Sequence, residues 1–142
     1  VSNFDTIKSI TDNLVRVLDA KGIKFIVGTN EEKEVTASNY PSGKVFYQGD
    51  EFEENFGEQM KYIEGEFLIR VFLKDTNEKT LNRDCQRWVH NIRKAVTISA
   101  LNVGDLASTK YVARITTINT NKTIEDDIGV LDYGLQVRYR EI

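Results

Sequence analysis

The chain has 142 residues, 40% of them hydrophobic and 29% charged, with a formal net charge of -3, one cysteine and one histidine. That size suits a single domain, residues 1–142, which buries one core without disulfides or metals, and the balanced composition excludes disorder over the bulk of the chain. The slight acidic excess argues against a protein whose main task is gripping nucleic acid, Cys85 alone rules out an intrachain disulfide, and no apolar run reaches membrane-spanning length.

The opening residues, Val1-Ser2-Asn3-Phe4-Asp5, show no basic stretch followed by an apolar run. The expectation is a soluble protein without a signal peptide, made inside the cell. Phe4, Ile7, Ile10, Leu14, Val17 and Leu18 recur at spacings of three and four, which marks an amphipathic helix capped by Asn3 or Asp5 and ended near Lys21 by Gly22. A short strand follows over Lys24 to Val27. From Gly28 to Asn39 the pattern becomes that of a solvated loop. Tyr40-Pro41-Ser42-Gly43 has proline and glycine where a type I turn favours them, and Lys44 to Gln48 reads as the next strand.

Between Asp50 and Glu66 seven acids face one base, Lys61, with Phe52, Phe56, Met60 and Tyr62 among them. The segment is an acidic loop or a hairpin arm. Phe67, Ile69, Val71 and Leu73 then alternate with Leu68, Arg70, Phe72 and Lys74, as in a strand inside a sheet. Asp75 with Glu78 has the spacing of a capping box. The helix that follows runs from about Thr80 to Ile98 and carries an apolar stripe of Leu81, Cys85, Trp88, Ile92, Ala95 and Ser99. Tyr111 to Ile118 is a β-branched strand and Asn119 to Asn121 a polar turn. Leu131, Tyr133, Leu135, Val137 and Tyr139 alternate with polar residues, which predicts a long last strand with one buried face. The order α, β, β, β, α, β, β implies an α+β fold, with a mixed, mainly antiparallel sheet of four to five strands and two helices on one face.

Chemistry is scarce. His90 is the only histidine, so it reads as a surface side chain, and Cys85 falls on the apolar stripe, where a thiol acts as a small hydrophobe. No phosphate loop, dinucleotide fingerprint or nucleophile elbow occurs, and the acidic segment lacks the glycine-punctuated spacing of a calcium loop. No catalytic residue, metal or cofactor is expected. Arg83, Arg87, His90 and Lys94 form one stripe opposite Leu81 and Cys85, either a solvated face or a surface for an acidic partner.

The N-terminal helix (Thr6 to Leu18), the strand Glu66-Phe67-Leu68-Ile69-Arg70-Val71, the Trp88-centred helix and the run from Ile124 to Tyr139 together resemble the tail terminator proteins of long-tailed bacteriophages. The resemblance implies a structural, non-enzymatic protein that forms a ring, commonly a hexamer, on the end of the tail tube. Such a ring stops tube polymerisation and presents a surface to the head or neck. Its implied partners are other copies of itself, the major tail tube protein and a head or neck connector, with DNA only as passing cargo and no membrane. Its implied place is the head-proximal end of the virion tail, after assembly in the host cytoplasm. A head-to-tail ring contact favours patches of opposite charge. The candidate interface is therefore Phe52, Glu53, Glu54 and Phe56 on one side and Arg83, Arg87 and Lys94 on the other. Two other readings stay open: a different head-tail joining protein, and a small enzyme with a carboxylate site, which a pocket holding paired carboxylates would favour.

Overall fold

The computed structural model describes residues 3–28, 40–52, 61–107 and 111–141. Its elements in chain order are helix α1 (Asn3–Asp19), strands β1 (Lys24–Val27), β2 (Ser42–Phe52) and β3 (Lys61–Lys74), helix α2 (Glu78–Ala95), the one-turn helix α3 (Ile98–Leu101), a 3-10 turn (Gly104–Leu106), and strands β4 (Val112–Glu125) and β5 (Ile128–Glu141). The strands form one sheet in the order β1-β2-β3-β5-β4, parallel only between β1 and β2. This is the mixed, mainly antiparallel α+β fold expected from the alternation and the helical stripes.

β3 and β5 are its axis, paired residue for residue from Lys61↔Glu141 to Lys74↔Ile128. Because side chains alternate across a strand, Ile63, Phe67, Ile69 and Val71 share a face with Leu131, Tyr133, Leu135, Val137 and Tyr139, and all nine are buried. Each such side chain contributes roughly 1.5–3 kcal/mol on leaving water. Both long helices lie on this inner face and join a single core cluster with it. The outer face carries the even residues. There Arg70 and its register partner Asp132 close a two-pronged ion pair at 2.7 and 3.2 Å, and the Arg70 guanidinium stands over the Phe46 ring.

α1 buries Ile10, Leu14 and Leu18 together with two polar residues, Thr6 and Thr11. The Thr11 hydroxyl avoids an unsatisfied burial by donating to the Ile7 carbonyl at 2.8 Å. Gly22 has a φ of 110°, a conformation open to glycine, and the chain turns there into β1. The Asp19 carboxylate accepts the Phe25 amide at 3.0 Å and fixes that entry. Asn13 and Arg16 donate to carbonyls of Leu101 and Ala100 and so tie α1 to α3.

Four local expectations are corrected. The α2 cap is Asn77, which accepts from the amides of Lys79 and Thr80, while Asp75 accepts the amide of Asn77 two residues on, so no Asp75–Glu78 capping box forms. α2 ends at Ala95, because Val96 is extended and Thr97 caps α3, and Ser99 is thereby exposed instead of continuing the stripe. Ser42 and Gly43 already belong to β2 and follow a cis Tyr40–Pro41 bond, so the type I turn is absent. Finally, Asn119 to Asn121 is not a turn. β4 runs on to Glu125, and the chain reverses at Asp126 and Asp127, whose φ values of 48° and 64° are those of a two-residue hairpin turn that aspartate tolerates. The expected loop over Gly28 to Asn39 lies mostly outside the described residues.

Candidate functional site

Among the described residues no group of histidine, cysteine and acidic side chains is placed to hold a metal, and no helix is long and apolar enough to cross a membrane. Cys85 is buried, and that burial pushes its thiol pKa up, Lys122 opposing and Asp84 reinforcing the effect. A thiol so placed packs and does not attack. His90 is exposed on α2.

A groove of about 280 Å³ opens on the inner face where the end of α2 and the start of α3 meet β4 and β5. Ile92, Val96, Ile98, Ile115 and Leu135 supply its apolar wall, and Tyr133, whose hydroxyl lies 2.7 Å from that of Thr117, supplies its polar floor. Arg93 is the single charged residue lining it, and no carboxylate does. The paired acids that a carboxylate enzyme needs are not found in this groove.

The basic stripe is displayed as expected. Arg83, Arg87, His90 and Lys94 are all exposed on the side of α2 that turns away from the sheet, and Asp84 lies 3.7 Å from Arg87. The acidic segment divides. Its flanks are β2 and β3, paired with each other as far as Phe52↔Ile63, so Asp50 to Phe52 and Lys61 to Glu66 are arms of a hairpin. Phe52 ends β2, and Glu53, Glu54 and Phe56 lie outside the described residues. Among the described residues, two of these acids are turned to internal partners. Asp50 accepts from the buried Tyr139 hydroxyl at 3.1 Å, and Glu64 accepts from Arg114 at 3.1 Å across the outer face. Arg138, the register partner of both Glu64 and Arg114, lays its guanidinium 4.6 Å from the centre of the Tyr62 ring.

Sequence reasoning missed β4 as a surface. It forms one end of the sheet, and from Ala113 to Thr123 all its side chains except Ile115 are exposed. From Ala113 to Glu125 only Ile115 and Ile124 pack against the core, too few for an apolar alternation, so its one signal was the run from Ile115 to Ile124, rich in threonine, isoleucine and asparagine.

No family model matches the chain, and no curated protein matches it. Among solved structures it is similar to a chain in the virion of a native gene transfer agent (GTA) particle, with a TM-score of 0.56 over 92% of this chain and 92% of that one. At 12% identity this likeness establishes a shared fold.

Proposed function

We propose that this chain is a structural virion protein of the tail terminator type, which forms a ring on the end of a tail tube, stops its growth and offers the attachment surface for the head or neck. The observation that carries the reading is the end-to-end likeness to a virion chain, with 92% of each chain matched. It agrees with the resemblance of the N-terminal helix, the Glu66 to Val71 strand, the Trp88-centred helix and the run from Ile124 to Tyr139 to tail terminators. The display of Arg83, Arg87 and Lys94, and a groove without carboxylates, fit a protein that works by contact. In the ring, the Phe52 to Phe56 end of the hairpin arm meets the basic stripe of the next copy, aromatics docking while opposite charges set the register.

The test is removal of the gene from the particle that encodes it, followed by electron microscopy of the tails. The expected result is tails of irregular or excessive length that stay unjoined to heads. Tails of normal length that fail to join would instead assign the chain to another head-tail joining step. Normal, joined tails would end both readings.

A further inference from the structure

Among the described residues the sheet has two open ends, and these differ in charge. At one end lies β4, Val112–Glu125; the Asn102 side chain takes up the amide and carbonyl of Val112, and among the described residues no strand pairs with its outer side. About half of its backbone N–H and C=O groups therefore point outward, a template for another strand. At the other end β1 covers β2 only from Ser42 to Val45, so that Phe46 to Phe52 form a second edge without a described partner strand.

β4 contains Arg114 and Lys122 before its terminal Glu125, whereas the uncovered part of β2 contains no base and two acids, Glu51 and Asp50, the latter also the acceptor of the Tyr139 hydroxyl. The directions also agree. β2, β3, β5 and β4 are joined by successive antiparallel pairings, so β4 runs opposite to β2. A neighbour related by rotation about an axis along the strands brings its β2 beside β4 in the antiparallel sense, the more stable pairing.

We infer that copies of this chain join head to tail by strand addition, the outer edge of β4 in one copy pairing with Phe46 to Phe52 of β2 in the next. The contact is heterologous, so it closes into a ring when the rotation allows and leaves each copy with one donor and one acceptor edge. It rests on the ring reading above and specifies how that ring is held.

The test uses single cysteines in a Cys85→Ser background, one at the exposed Gln48 of β2 and others at the exposed Thr116, Ile118, Thr120 and Lys122 of β4, with folding of each variant checked by circular dichroism. Oligomeric state is measured by native mass spectrometry alone and by microscopy on tail tubes, and a short bismaleimide is then added. The expected result is cross-linking in mixtures of the Gln48→Cys chain with a β4 variant, and none in either variant alone. An oligomer that cross-links β4 to β4, or that gives no β2–β4 product at any of the four positions, overturns the strand addition and leaves the ring reading standing. A protein that forms no oligomer, alone or on tubes, overturns both.

Discussion

The hydroxyl of Tyr139 donates to the carboxylate of Asp50 at 3.1 Å, so that a fully buried residue of β5 reaches across β3 to hold the hairpin arm of β2. An acid that appears from its neighbours to belong to a charged surface is thus a structural acceptor. We expect Tyr139→Phe to lose about 1.5–3 kcal/mol of stability, the net worth of a hydrogen bond to a charged group, with little change in assembly. Urea denaturation measures the first and native mass spectrometry the second. An unchanged urea midpoint would show that the bond contributes nothing.

Tyr47 shares that aspartate. Burial, then the hydrogen bond to Asp50 and its charge, push the Tyr47 phenol pKa well above its ordinary value of 10.0. Above that value an unfolded chain releases the proton while the folded chain keeps it, so the contribution to stability is complete below about pH 10 and declines as the pH rises further. Stability followed from about pH 8 to about pH 11 should fall less steeply for Tyr47→Phe than for the parent. Parallel curves would mean that Tyr47 ionises as freely in the folded protein as in the unfolded one.

Trp88 is 7% exposed on α2, its ring centre 5.6 Å from that of Phe25 on β1. Truncation to alanine removes the contact between α2 and the short parallel strand and leaves a cavity. The expected loss is about 3–5 kcal/mol, a large share of a small domain's stability. Thermal melting checks it, and a variant that melts with the parent would show that the site collapses without cost.

The stripe should behave in the opposite way. Replacing Arg83, Arg87 and Lys94 together with glutamine touches exposed side chains and should leave stability within about 0.5 kcal/mol at each site. Assembly, measured by sedimentation at low and high salt, should weaken most at low salt, where charge attraction is least screened. Unchanged assembly at both salt concentrations would return the stripe to an ordinary solvated face.

The elements that were legible in the sequence are those whose side chains meet a core on one side and water on the other. β5 could be read from its alternation, α1 and α2 from their stripes, and β1 to its exact ends because Gly22 and Gly28 bracket the five residues Ile23 to Val27, mostly of strand-forming character. β3 begins at Lys61, earlier than expected, because Glu64 and Glu66 mask its alternation, though Ile63 and Phe67 keep the inner-face phase. β4 was cut short for a related reason. With both faces wet, Asn119 to Asn121 look like a turn, yet the Asn119 amide sits where a Cβ on Gly134 would be, 2.7 Å from its oxygen, so a polar side chain fills the place of an absent one. Of the candidate surface, the charge stripe could be seen beforehand because it is made of side chains. The sheet edges could not, since they are made of main-chain groups that every residue carries.

Gly43 lies directly beneath the Phe25 ring, which fills the space a Cβ would need, and Phe25 in turn tilts against Trp88. β1 pairs with the sheet through only four residues, so its position is fixed less by its ladder than by this stack of an empty site, a phenyl ring and an indole. The stack works as a rivet through three elements, with its head on α2 and its socket in β2. Enlarging the socket by a single methyl group, as in Gly43→Ala, would drive the phenyl ring outward and lift the strand with it, so the smallest side chain in the row governs where the largest can sit.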